Sequence, residues 1–333
     1  MEYRYMGKSN LRVSNICLGT MHFGPKTTEK EAFAIMDRAL EMGINFFDTA
    51  NVYGSDALRS EEILGRWFAQ GGGRRDQVVL ATKVYGEMAR GAQVSPNEAP
   101  GISLYKVRKH IEDSLRRLKT DHIDLYQVHH IDRRIADTEY WTIFDQLVHS
   151  GKILYTGTSN FPGWGLAKLQ AAAEHRGQIG IVSEQAQYNL LSRYPELEVI
   201  PAAKAYGIGI MVYMPLAGGL LTGKKPAVPG SRTEAVAKEY AMGARLDDQL
   251  AEYSRLCQAI GEPESAVAIA WTLANPAVYS AIVGVRTLAH LDGLEHASTL
   301  KLARDVIARL EQLFNINAGR PLRPGPAPEA FAW

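Results

Sequence analysis

Short apolar, β-rich runs alternate with helical stretches almost from one end of the chain to the other, and few folds accommodate such a rhythm. The runs are Ile16–Met21, Asn45–Thr49, Val78–Val84, Ile123–His129, Tyr155–Thr158, Val182–Tyr188, Gly209–Met214 and Ser280–Val283. Between them lie stretches with helical spacing and capping signals, among them Thr28–Glu41, Ser103–Leu118, Tyr140–His149, Gly165–His175, Leu197–Tyr206, Asp247–Ile260 and Ser265–Ala274. Strands separated by helices predict a parallel sheet, because a parallel return needs a crossover. Eight units with no break between two halves predict a closed (β/α)8 barrel, an α/β TIM barrel, rather than an open sheet. Before the first unit, Tyr3–Tyr5 and Leu11–Val13 flank Gly7-Lys8-Ser9-Asn10, which reads as a hairpin.

At 333 residues the chain suits one large barrel or two ordinary domains, and 46% hydrophobic residues can fill a sizeable core. We read residues 1–333 as a single barrel domain with an extended Pro- and Ala-rich tail at 317–333. Lys and Arg number 37 against 36 Asp and Glu, which argues against a nucleic-acid partner or a polybasic membrane binder. The two cysteines, Cys17 and Cys257, sit in apolar surroundings without metal-ligand spacing, as buried thiols in a reducing compartment would. No signal-peptide layout and no membrane-length apolar run are present, so the expected location is cytoplasmic. The segments 86–101 and 216–241 are long, poorly periodic and follow strands, which places both on the catalytic face of a barrel.

A barrel carries its chemistry where strands end. Strand two ends in Asp48-Thr49-Ala50 with Tyr53 just beyond; strand three ends near Lys83; strand four ends in His129-His130; strand five in Ser159-Asn160; strand six carries Gln185, strand seven Tyr213, and strand eight runs into Gly284 and Arg286. Asp48 pairing with a buried Lys83 would offset its desolvation. An ammonium beside Tyr53 would lower a phenol pKa from about 10. Such a phenol can protonate a carbonyl oxygen while His129 hydrogen-bonds the same oxygen. Taken singly, each of these residues has a plainer reading as a turn former, a packing aromatic, a solvated charge or a core histidine.

At these positions the sequence resembles the aldo-keto reductase family, of the bacterial and channel β-subunit type. The resemblance is carried by Phe46-Phe47-Asp48-Thr49-Ala50-Asn51-Val52-Tyr53-Gly54, Ala81-Thr82-Lys83, Ile123-Asp124-Leu125-Tyr126-Gln127-Val128-His129, Gly157-Thr158-Ser159-Asn160-Phe161 and Glu184-Gln185-Ala186-Gln187-Tyr188-Asn189-Leu190-Leu191. It implies the barrel, reduction of an aldehyde, ketone or keto sugar with NADPH (NADP), and the tetrad Asp48, Tyr53, Lys83 and His129. It also implies cofactor contacts. Thr20 and Met21 lie at the end of the first strand. Ser159, Asn160 and Gln185 would hold the nicotinamide carboxamide, and Tyr213 would stack on the ring. Pro215, Leu216, Gly218 and Lys224 belong to a pyrophosphate loop in which Met214 replaces a common Ser. Arg232 would reach a phosphate, and Gly284 with Arg286 opens the 2′-phosphate loop. In that loop His290 stands where Gln or Arg is usual, and Gly293 and Leu294 stand where Glu and Asn often bind adenine. Gly71-Gly72-Gly73 is not a dinucleotide fingerprint, since it follows a helix and precedes a strand.

The expected substrate walls are Met21, His22, Phe23, Tyr85, His130 and Trp164, a pocket for a small-molecule carbonyl compound. Two rival readings are a cofactor-binding regulatory subunit with little catalysis and a metal-dependent barrel hydrolase or isomerase using His22, Asp48, His129 and His130. The channel-subunit relatives carry Asn where this chain has His129, which favours catalysis. The resemblance leaves room for a homo-oligomer.

Overall fold

The computed structural model describes residues 1–54, 59–88, 95–223 and 243–315, with the backbone alone at 243–245. Lys224, Arg232 and the tail 317–333 lie outside the described residues. The chain opens with antiparallel strands β1 (Tyr3–Tyr5) and β2 (Arg12–Ser14), Tyr3 opposite Ser14. This is the expected hairpin, its second strand one residue further on than the pattern placed it. Gly7 in its turn has φ 54°, and a Cβ there would meet the Val182 carbonyl oxygen at 2.5 Å. Only glycine allows the turn to press so closely on the barrel floor.

Eight parallel strands then close on themselves: β3 (Ile16–Gly19), β4 (Phe46–Asp48), β5 (Val79–Val84), β6 (Ile123–Val128), β7 (Ile153–Ser159), β8 (Ile181–Gln187), β9 (Gly209–Tyr213) and β10 (Val278–Gly284). The seam is β10 on β3, with Ala281 opposite Ile16. Helices cover the outside: α1 (Glu29–Glu41), α2 (Ser60–Phe68), α3 (Leu104–Leu118), α4 (Asp137–His149), α5 (Gly163–His175), α6 (Val199–Tyr206), α7 (Gly243–Ala259), α8 (Glu264–Ala274), α9 (Leu294–Thr299) and α10 (Arg304–Leu313). The fold is the (β/α)8 barrel.

Local chemistry explains the helix ends. Thr28 and Glu31 form a reciprocal capping box at the start of α1, worth about 1 kcal/mol. Ser103 accepts from the Lys106 amide at the start of α3, 3.2 Å away. Gly43, Gly151, Gly177 and Gly207 follow helices with φ of 81°, 70°, 67° and 66°. These are the left-handed stops the sequence signalled. The triplet Gly71–Gly73, with φ of 78°, 71° and 68°, is a turn between α2 and β5. The helix α2 has no counterpart in the sequence reading. It is short and contains Gly65, where a Cβ would meet the Arg117 carbonyl oxygen at 2.0 Å. Glycine weakens the helical signal there because it lets the helix ride against the end of α3.

The period of two along each strand sorts side chains into two cores. Cys17, Phe46, Ala81, Leu125, Met211 and Ile282 fill the barrel interior, closed beneath by Met6 and Val13 of the hairpin segment. The outward set, with Leu18, Phe47, Leu80 and Tyr126, packs on the helices. Both cysteines are buried free thiols. Two residues above the apolar interior layer, the inward positions become polar: Asp48 above Phe46, Lys83 above Ala81, Gln127 above Leu125. Among the described residues no helix is long and apolar enough to cross a membrane.

Candidate active site

Lys83 lies inside the barrel mouth with its side chain fully buried. Its Nζ donates to Asp48 Oδ2 at 2.6 Å, to the Thr49 carbonyl at 2.8 Å and to the Tyr53 hydroxyl at 3.3 Å. Burial pulls its pKa down, but the Asp48 charge, the Tyr53 phenol and its hydrogen bonds to both outweigh that and hold it above the ordinary lysine value. The ammonium is therefore permanent at neutral pH, and it touches the phenol oxygen directly.

His129 completes the group. Its ring meets Tyr53 edge to face with centroids 5.7 Å apart. Burial, then Lys83, then His130 push its pKa well below that of free histidine, so it is a neutral imidazole. Its ring nitrogens make no hydrogen bond among the described residues, and it stacks on His130 at 4.8 Å. The structure thus brings Asp48, Tyr53, Lys83 and His129 together.

Asp48 is more heavily supported than the sequence indicated. Gln185 Nε2 and Gln127 Nε2 both donate to its Oδ1, at 2.9 and 3.3 Å. Gln127 was not singled out from sequence. The signal that could have found it is register, since it occupies the inward position between Leu125 and His129. Thr20, expected among the cofactor contacts, is fully buried. Its backbone N–H and its hydroxyl both donate to the Asp48 carbonyl at 3.0 Å, and the Ser60 hydroxyl donates to Thr20 Oγ1 at 2.8 Å. Thr20 therefore braces the end of β4.

On the opposite side of the mouth the backbone is unusual. Asn160, Met214 and Ala217 have φ of 59°, 56° and 47°, a left-handed conformation that costs an L-residue about 1–2 kcal/mol. Such strain concentrates at ligand sites. Asn160 Nδ2 donates to the His129 carbonyl at 3.0 Å and lies 3.3 Å from His130 Nδ1, while the Tyr213 hydroxyl donates to Asn160 Oδ1 at 2.8 Å. The Ser159 hydroxyl donates to the Gln185 carbonyl at 2.9 Å. Beneath them Glu184 is fully buried, its Oε1 accepting the Phe161 N–H at 3.0 Å and its Oε2 2.5 Å from Thr158 Oγ1. Burial, partly opposed by these hydrogen bonds, pushes its pKa up to about 8.

The donor set fits a nicotinamide. Ser159, Asn160 and Gln185 bring hydroxyl and amide groups of both polarities to one wall, which suits a carboxamide, and Tyr213 adds an aromatic ring. The adenosine end is less complete. Arg286 is exposed, and its guanidinium makes no hydrogen bond or ion pair among the described residues. His290 Nδ1 accepts the Arg286 backbone N–H at 3.2 Å, so it closes the loop that presents that arginine. Gly284, at the end of β10, lies beside the His22 ring. Pro215, Leu216 and Gly218 follow the left-handed Met214.

Of the expected substrate walls, Tyr85 and His130 meet edge to face at 5.2 Å beside His129. Trp164 is half exposed at the start of α5, and Met21 is exposed after β3. Phe23 is fully buried in the outer core and offers no exposed surface to a ligand. Among the described residues no three His, Cys, Asp or Glu side chains gather as a metal site would require.

The family model for the aldo/keto reductase family matches residues 15–315. The uncharacterized oxidoreductase YrpG of Bacillus subtilis is 49% identical over the full length of both chains. A probable voltage-gated potassium channel subunit beta of Arabidopsis thaliana is 31% identical over 97% of this chain and 99% of its own. The aldo-keto reductase AMT2 of Alternaria alternata is 32% identical over 93% of this chain and 90% of its own.

Proposed function

The chain belongs to the aldo/keto reductase family and is an NAD(P)H-dependent oxidoreductase of carbonyl compounds; from that premise we propose that it reduces an aldehyde, ketone or keto sugar with NADPH, and that Tyr53 gives the proton. The observation that carries the proposal is the Lys83 Nζ to Tyr53 hydroxyl contact at 3.3 Å, made by an ammonium anchored on Asp48.

The nicotinamide, when bound, supplies hydride to the carbonyl carbon. Everything else falls to the chain. Ser159, Asn160 and Gln185 hold the carboxamide, and Tyr213 supports the ring. His129, neutral and with its ring nitrogens unengaged, donates a hydrogen bond to the substrate oxygen and orients it. As negative charge grows on that oxygen, the Tyr53 hydroxyl passes its proton across. Lys83 stabilises the phenolate left behind, and Asp48 keeps Lys83 in place. The proton travels one hydrogen bond, from phenol oxygen to alcohol oxygen.

NADPH rather than NADH is supported by Arg286, whose exposed guanidinium matches a 2′-phosphate in geometry and charge. A hydroxylated carbonyl substrate is supported by the polar side of the mouth, where His130 and Tyr85 stand beside His129. The test is NADPH oxidation over a panel of aldehydes, ketones and keto sugars, on the wild type and on Tyr53→Phe. The variant should bind NADPH normally and turn over slower by roughly three orders of magnitude or more. Undiminished activity in Tyr53→Phe would overturn the assignment. Cofactor binding with no turnover on any carbonyl would favour a regulatory role.

A further inference from the structure

Behind the Tyr53 turn runs a second hydrogen-bonded chain that the proposed reaction does not use. Tyr53 closes a tight turn by donating its backbone N–H to the Ala50 carbonyl at 3.1 Å, and Asn51 lies within that turn. The Asn51 backbone N–H donates to the Lys83 carbonyl at 3.2 Å, so the turn is tied to β5. The Asn51 side chain is fully buried and runs toward α3, where its Nδ2 lies 3.0 Å from His110 Nδ1. His110 Nε2 lies 2.7 Å from Glu98 Oε2, and Lys109 Nζ donates to the other Glu98 oxygen at 2.6 Å.

The protons on this chain have one consistent arrangement. Glu98, held by Lys109, is an acceptor, since Lys109 and His110 outweigh burial and keep its pKa below the ordinary value. Nε2 of His110 must then carry the hydrogen, which leaves a lone pair on Nδ1. Burial, against the pull of Glu98 and with the repulsion of Lys106 and Lys109, keeps the ring neutral. Asn51 meets that lone pair with its N–H, and its Oδ1 is left buried with no hydrogen-bond partner among the described residues. An amide that turned over would satisfy nothing, because it would set two lone pairs face to face. The loop bearing Glu98 is itself pinned. Lys106 Nζ, almost wholly buried, donates to the Tyr85 carbonyl at 2.6 Å and to the Ala99 carbonyl at 2.8 Å.

We propose that Glu98, His110 and Asn51 form a positioning relay for Tyr53. The carboxylate fixes the tautomer of the imidazole, the imidazole fixes which way the Asn51 amide points, and the amide holds the turn that aims the phenol at Lys83. The proposal rests on the reading of Tyr53 as proton donor. None of the three relay residues touches substrate or cofactor, and all of them act through the turn.

The test uses the full-length protein with NADPH and 4-nitrobenzaldehyde as probe substrate. Asn51→Leu, close in volume and without a donor, should lower kcat about 10-fold, since small displacements of a reacting group are costly, and leave KM and NADPH affinity within about twofold. His110→Phe should do the same. The double variant should be no worse than either, because members of one chain do not add. Asn51→Asp offers His110 an acceptor and draws a second proton onto the ring, so its kcat should recover toward acid pH and fall, as pH rises, earlier than in the wild type. In the unmodified protein, nitrogen chemical shifts should show His110 protonated on Nε2, a readout that survives even if a variant misfolds. Wild-type kcat in Asn51→Leu, additive losses in the double variant, or a His110 protonated on Nδ1 would each overturn the relay. Full activity in Tyr53→Phe would instead remove its premise, which keeps the two failures distinct.

Discussion

The two walls of the barrel mouth are built on opposite plans. On the wall made by β4, β5 and β6, Asp48, Lys83 and Tyr53 are spent on one another, while the ring nitrogens of His129 make no hydrogen bond among the described residues. Asp48 takes Lys83 on one oxygen and two glutamine amides on the other, and Lys83 uses its remaining donors on Thr49 and Tyr53. On the wall that continues from β7 and β9 to the loop after β10, the backbone is bent at Asn160, Met214 and Ala217, and the Arg286 guanidinium is left exposed with no hydrogen bond or ion pair among the described residues. The charges of the first wall are paired before anything binds; on the second, where Ser159, Asn160 and Tyr213 already hydrogen-bond, the Arg286 guanidinium is what remains for a ligand to complete. A proton donor needs a fixed electrostatic setting at all times, whereas a cofactor site gains by keeping its strongest contacts for the cofactor.

The sharpest way to break this contrast is Lys83→Met. On the self-satisfied wall it should strike function and folding together. We expect kcat to fall about 10³-fold, in the range seen when one electrostatic donor is removed. Unfolding free energy should fall by about 3–5 kcal/mol, because Asp48 is left buried without its cation. Turnover and a denaturant titration check both, and a variant that loses activity with stability intact would show that the wall is less closed than its geometry implies. Arg286→Ala probes the reserve wall. It should weaken NADPH about 10-fold or more, the loss of one charge-assisted phosphate contact, with NADH affinity and thermal stability unchanged. Equal losses for the two dinucleotides in a fluorescence titration would deny Arg286 any 2′-phosphate role. The smallest effect should come from Glu184→Gln, beneath Asn160. The native carboxyl, at about 8, is protonated at neutrality, whereas its ordinary value is 4.5. The native state then binds the extra proton, so this contribution is full below pH 4.5 and lost as pH rises toward 8. Relative to the wild type, the variant's melting temperature should be flatter across that window.

Much of this was legible in the sequence because it rests on period and order. The eight strands, the helix starts and the glycine stops are local signals, and their spacing survives whatever packs on them. Asp48, Tyr53, Lys83 and His129 could be picked out as one candidate group because each sits near or just beyond the C-terminal end of a strand and the family resemblance joins them. Several things were not, among them the helices α9 and α10, the Gln127 contact to Asp48 and the burial of Phe23. The helix α2 was obscured by Gly65, which serves a contact with Arg117 that is 52 positions away and leaves no local mark. Thr20 and His290 resemble ligand contacts in position, yet their side chains turn to brace Asp48 and the Arg286 turn, a choice made by tertiary packing. Asn51, His110 and Glu98 come from three separate segments, so no spacing rule joins them.

The seam between β3 and β10 has a consequence for how the molecule is made. The strand that opens the barrel must wait for the one that closes it, some 260 residues later, and Arg4 of the hairpin also reaches forward to the carbonyls of Leu273 and Val278. On a ribosome the growing chain therefore carries an unpaired sheet edge at each end until almost the last barrel residue has left the exit tunnel. Such long-range closure is slow, and bare edges invite association with other chains. A pause late in synthesis, or a break near residue 278, would release a protein with most of its helices formed and both edges open, a natural target for a holding chaperone.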